Sequence, residues 1–219
     1  GPSMGAPAIE FNRIAVTSGG VSALMVAVQA LVNAGDEVVA VTPVWPNLTA
    51  QAQIMGAELQ TVALQAKNGA WSLDLDLLLN RITSNTRLLI VNAPNNPTGW
   101  TLSRAEQELI LAHCRKTGTW ILADEVYENL YYEVTQNNCA PSFLDLACDQ
   151  DKLIVVHSFS KSYLMTGWRL GWMVAPLDAA KAAANLQSHL SSNVSNISQR
   201  AAIAAEQPGI AEGVCPQPA

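Results

Sequence analysis

The sequence predicts an α/β protein, a three-layer α/β/α arrangement around a mainly parallel sheet. Two observations carry this. Apolar runs of strand length alternate with segments of helical period along most of the chain, and such alternation implies crossover connections between parallel strands. Apolar residues make up 49% of the 219 residues and charged residues only 14%, as expected when strands are covered on both faces.

Taken in order, "VSALMVAVQALVNAG" (21–35) reads as a helix closed by Gly35, and "EVVAV" (37–41) as a buried strand. A helix near 46–55 precedes the strand "ELQTVAL", and "LDLDLLLNRI" precedes "RLLIVNA". The long amphipathic segment "SRAEQELILAHCRKTG" leads into "TWILADE". "DKLIVVHS" and "WRLGWMVAP" are the last strands, and a helix starts at about Asp178. Residues 8–206 are expected to form one domain. The opening "GPSM" is read as an expression remnant within a leader of residues 1–7, and the Pro- and Gly-rich stretch 207–219 as a flexible tail.

Composition excludes several functions. A net charge of −6 argues against a phosphate-backbone binder, which presents a clustered basic face, so no nucleic-acid partner is expected. Cys114, Cys139, Cys148 and Cys215 form no CxxC pair and have no histidine at metal-ligand spacing. Neither a zinc site nor a disulfide framework is indicated, and a reducing, cytoplasmic location fits. No run is apolar for the length of a membrane span, and the start lacks a signal-peptide plan.

In open α/β sheets, ligands gather at the carboxyl ends of the strands. Asn96 follows "RLLIV", Asp124, Glu125 and Tyr127 follow "WILA", and Ser158, Ser160 and Lys161 follow "LIVVH". Each alone reads as an ordinary strand-end residue. Together they deliver an amide, a carboxylate with a phenol, and an amine to one rim. "TSGGVSAL" adds Ser18, Gly19 and Gly20 at a helix start, where unpaired N–H groups and the helix dipole favour an anion. The phosphate-loop and dinucleotide glycine fingerprints are both absent.

These segments resemble the fold-type I pyridoxal-phosphate enzymes, specifically the class I/II aminotransferases of the aspartate aminotransferase type. The motifs "SGG", "GDEVVAVTPVWPN", "NAPNNPTG", "ADEVYENL" and "SFSKSYLMTGWRLGW" stand in the family's order, from about Ile14 to Glu206. The resemblance implies pyridoxal 5'-phosphate as cofactor, an amino acid and a 2-oxo acid as substrates, and a homodimer. It also implies residue roles. Lys161 is the lysine whose amine condenses with the cofactor aldehyde and later shuttles the substrate Cα proton. Asp124 pairs with the pyridine nitrogen and keeps it protonated. Asn96 and Tyr127 hydrogen-bond the cofactor's phenolate oxygen, and Trp45 stacks on its ring. Ser18, Gly19, Gly20, Ser158 and Arg169 surround the phosphate, the arginine through its planar fork.

Other readings are weaker. The SxxK of 158–161, the KTG of 116–118 and the SxN of 191–193 are signatures of penicillin-recognising serine hydrolases, but KTG precedes SxxK, the reverse of that family's order. His113, His157 and His189 have no metal or triad partner at useful spacing and read as structural. Family members are longer than 219 residues, with an N-terminal arm and a C-terminal small domain bearing the arginine that binds the substrate carboxylate. The expectation is therefore a large cofactor-binding domain alone, with reduced or no transamination. A non-catalytic or regulatory cofactor-binding domain is the alternative.

Overall fold

The computed structural model describes residues 9–132 and 139–207. The expected leader, and all of the expected tail after its first residue, lie outside the described residues.

Seven strands form one sheet in the order β1-β9-β8-β7-β6-β2-β3. They are β1 (Ile14–Thr17), β2 (Glu37–Thr42), β3 (Glu58–Ala63), β6 (Thr86–Asn92), β7 (Trp120–Asp124), β8 (Leu153–Ser158) and β9 (Gly171–Val174). A small hairpin, β4 (Gln65–Lys67) with β5 (Ala70–Ser72), stands apart. The helices are α1 (Gly20–Leu31), α2 (Pro46–Ile54), α3 (Leu75–Arg81), α4 (Arg104–Thr117), α5 (Phe159–Ser162), α6 (Leu177–Ser191) and α7 (Asn196–Ala205).

Strand side chains alternate between two cores. Val38, Ala40, Leu88, Ile90, Leu122, Ile154, Val156 and Met173 pack beneath α1, α2 and α6. Val39, Val41, Leu89, Val91, Ile121, Ala123, Leu153 and Val155 pack on the other face with Leu78 of α3, Ile110 and Leu111 of α4, and Phe143. The central strands are therefore apolar on both faces through their middle positions, which is why they read as continuous runs and not as alternating ones. Burying one such leucine or isoleucine contributes about 1.5–3 kcal/mol, so the two cores dominate the stability of the fold.

Local signals set the boundaries of α3 and α4. Asp74 caps α3 by accepting from the Leu77 N–H. Ser103 and Glu106 form a reciprocal capping box at the start of α4, worth about 1 kcal/mol, and Gly118 closes α4 at φ +78°.

The expected architecture is present, with three differences in detail. The first helix ends at Leu31 and not at Gly35: Val32 is already extended, and Gly35, at φ +85°, sits in the turn that leads into β2. β9 runs antiparallel to both β8 and β1. The 12 residues that separate β8 from β9 hold only the four-residue α5 and a 3-10 turn, too little for a crossover helix, and the chain turns back on itself. β1 and the β4–β5 hairpin went unread in the sequence because each is only three or four residues long.

Candidate active site

Because β9 is flanked by two antiparallel partners, β1 runs parallel to β8, and the carboxyl ends of β1, β2, β6, β7 and β8 lie on one rim. A cleft of about 330 Å³ opens there, within the range of small-ligand sites. Its lining includes Gly20, Trp45, Asn96, Asp124, Tyr127, Ser158, Lys161 and Arg169. Ser18 and Gly19 form the turn just before α1. All ten residues singled out in the sequence thus stand at one end of the sheet.

Asp124, the last residue of β7, is 3% exposed at the floor. Among the described residues its carboxylate has a single distant hydrogen bond, from the Val126 N–H at 3.4 Å, and no salt bridge. Burial pushes its pKa up to about 6, opposed by that N–H and by the charges of His157 and Lys161. A buried, underpaired carboxylate calls for a cationic N–H donor.

Lys161 projects from α5, with Nζ 5.5 Å from the centre of the Tyr127 ring. The Asn96 amide lies 3.5 Å from the Tyr127 hydroxyl, the outer limit of a hydrogen bond. Trp45 caps the start of α2, with its ring between the cleft and the first core.

The rim nearest α1 is built by close backbone approach. A Cβ on Gly19 (φ +96°) would lie 2.5 Å from Arg169 Nη2, so only glycine lets this guanidinium settle over the helix start. Arg169 itself sits at φ +50°, a left-handed conformation costly for a side-chain-bearing residue, and donates to Thr166 O at 2.8 Å. Ser158 is buried, with its hydroxyl donating to Leu170 O at 3.3 Å and accepting from the Ser160 N–H. That hydroxyl also helps to hold the turn into α5.

Asn92 was missed in the sequence. It is 1% exposed, donates from Nδ2 to Asp124 O at 3.0 Å and accepts from the Asn96 N–H at 2.7 Å. It ties the Asn96 loop to the end of β7, and its only sequence signal was its place at the head of "NAPNNPTG". Glu125, by contrast, turns away from the cleft to accept from Ser142 Oγ (2.6 Å) and the Phe143 N–H (3.0 Å), supporting the following loop.

A mainly parallel sheet with a buried acid, a lysine and a glycine-framed arginine converging on its carboxyl rim defines the large-domain architecture of fold-type I transferases. The chain belongs to the aminotransferase class I and II family, whose pattern matches residues 4–211. It is 38% identical over 198 residues to an aspartate aminotransferase of Streptomyces avermitilis, covering 90% of this chain and 48% of that protein. It is 33% identical over 169 residues to an arginine–pyruvate transaminase of Pseudomonas aeruginosa, covering 77% of this chain and 42% of that one. The crystal structure of aspartate aminotransferase from Thermotoga maritima superposes with a TM-score of 0.83 at 32% identity, over 93% of this chain and 53% of that chain. The chain spans about half the length of the curated relatives it matches. No described helix is long and apolar enough to cross a membrane.

Proposed function

We propose that residues 8–206 form a pyridoxal 5'-phosphate-binding domain, and that the activity it serves is amino-group transfer between an amino acid and a 2-oxo acid. The observation that carries this is the underpaired, buried Asp124 on the floor of a cleft that also holds the Lys161 amine. The residues present fit the cofactor. Asp124 would pair with a protonated ring nitrogen, replacing the partner its carboxylate lacks. Trp45 would cover one ring face, and Asn96 with Tyr127 would bond the ring's oxygen. The backbone of Gly19 and Gly20 at the start of α1, with Ser18, Ser158 and Arg169, would hold the phosphate.

When bound, the cofactor supplies an aldehyde that captures amines and a ring that takes up the electrons of Cα–H cleavage. The chain's own groups position and move protons. Lys161, the one amine lining the cleft, would hold the aldehyde end and then carry the proton at the substrate Cα. Asp124 would keep the ring nitrogen protonated, and Asn92 would keep Asp124 and Asn96 in register.

The substrates, a homodimeric state and a cytoplasmic location belong to the same reading. Exposed Leu164, Trp168 and Ile197 near the cleft-side loop support a subunit contact, and thiols in place of a disulfide at Cys114 and Cys148 support a reducing compartment. Relatives named for aspartate and for arginine bracket the amino-acid class without choosing within it.

The test is an absorbance titration of the purified chain with pyridoxal phosphate, followed by borohydride and peptide mapping. A visible band fixed by reduction onto Lys161, and lost in Lys161→Ala with folding intact, is the expected result. An unchanged band in that variant overturns the assignment. A band altered by one amino acid from a panel identifies the donor, whereas a band that none alters marks a binding domain without turnover.

A further inference from the structure

Behind the cleft, on the far face of the sheet, lies a group of ionisable side chains that the proposed cofactor site does not touch. Strand alternation sends Leu122 and Asp124 to the face covered by α1, and Ala123 and Glu125 to the other. His157 follows Val155 to that other face, one residue beyond Val156, which is Asp124's partner in register. Its ring is 5% exposed and stacked on Trp172 at 5.2 Å. Its Nδ1 lies 3.3 Å from Glu128 Oε1, an ion pair without straight hydrogen-bond geometry. One polar atom from each of Glu125, Glu128 and His157 lies within 4.8 Å of the other two. Both Glu125 oxygens are already engaged, by Ser142 and Phe143, so the group is better suited to charge balance than to holding a metal ion.

The charged groups around His157 are Glu125 and Glu128, which follow β7, and Asp124, which ends β7 on the opposite face; Lys161 from α5 acts on Asp124, and β9 presents the uncharged Trp172. Burial alone would strip His157 of its proton. Glu128, then Glu125 and Asp124, outweigh that effect and raise its pKa above that of an ordinary histidine. In turn, His157 and then Lys161 are the cations that oppose the desolvation of Asp124. Lys161 is also the group that the cofactor aldehyde would engage, which leaves His157 as the lasting counter-charge.

We propose that His157, charged through its pair with Glu128, is a positioning residue that holds Asp124 as a carboxylate from the opposite face of the sheet. The cleft is thereby prepared for a protonated ring nitrogen before any ligand arrives. This rests on the cofactor reading above, but its test needs no cofactor.

The Asp124 carboxyl is titrated by 13C NMR in the cofactor-free chain, its signal assigned by its loss in Asp124→Asn. His157→Gln removes charge and ring. His157→Phe removes the charge but keeps a ring to stack on Trp172. Both should raise the Asp124 midpoint by about one pH unit, a tenfold gain in proton affinity. Glu128→Gln removes the carboxylate paired with His157 and should move that midpoint in the same direction by weakening His157's hold on its proton. This third variant leaves the core intact if either histidine substitution misfolds. An unmoved midpoint, or a shift in the glutamine variant that the phenylalanine variant does not share, overturns the proposal. A wild-type chain that forms no visible band with pyridoxal phosphate overturns the cofactor reading instead, and leaves this titration standing.

Discussion

Asp124 and Glu125 are neighbours in the chain that turn to opposite faces of the sheet, and both are buried. Burial raises Asp124 to about 6 and Glu125 to about 7, from ordinary values of 3.8 and 4.5. Between pH 5 and 7 the folded chain therefore keeps protons that the unfolded chain has released. Stability is fully present below the unfolded values and falls as pH rises through the folded ones, with Glu125 alone accounting for on the order of 3 kcal/mol. His157, also raised, acts in the same direction. In urea unfolding at pH 5 and pH 7.5, wild type should lose stability toward the higher pH. Glu125→Gln, which keeps partners for Ser142 and Phe143, should flatten much of that loss; equal slopes in the two proteins would refute the attribution. The convergence of Lys161, Arg169 and Asp124 on one cleft was legible because each stands in a motif at a strand end. Asn92 and His157 were not, since one acts through the main chain of a neighbouring strand and the other through a charge across the sheet.

Among the elements, β9 does most to shape the site. Any side chain at Gly171 would place its Cβ 2.7 Å from Gly20 N, 2.8 Å from Gly19 C and 2.9 Å from His157 O, all backbone atoms that cannot rotate away. β9 is thereby seated directly against the start of α1, and the N–H groups at that helix start take their position from it. Gly171→Ala should cost about 1–3 kcal/mol, as overpacking does, and should weaken pyridoxal phosphate binding as well. Urea unfolding and the absorbance titration check the two effects; a stable variant of unaltered affinity would show that the contact relaxes freely. Helix and strand identities were legible from period and composition, whereas the caps Asp74 and Ser103 emerge only in the structure. The end of α1 was misread because a glycine that closes a helix and one that begins the next turn are the same letter. The reversal of β9 is a matter of connection length, which periodicity does not encode.

At the scale of the molecule, one sheet separates two cores, and the strand ends converge on a single rim. That plan was readable because each strand and helix alternates in order; the neighbours of each strand were not, since β2 lies beside β6 and β1 beside β9 across long stretches of chain. Hydrogen exchange should find the amides of β6, β7 and β8 the most protected and those of residues 159–170 among the least, with pyridoxal phosphate raising protection in the latter. No change there on cofactor addition would count against binding at this rim. The reason lies in how that segment is closed. Ser158 and Gly171 face each other across the β8–β9 ladder, so the residues between them leave the sheet and return through a single rung. Lys161 and Arg169 stand on opposite limbs of this excursion. A small molecule bonded to the first and gripped by the second is a cross-link in the polymer sense, removing the entropy of the open loop much as a disulfide would. On the proposed reading, ligand release and loosening of the loop would be one event, and the cofactor would be as much a fastening of the chain as a reagent carried by it.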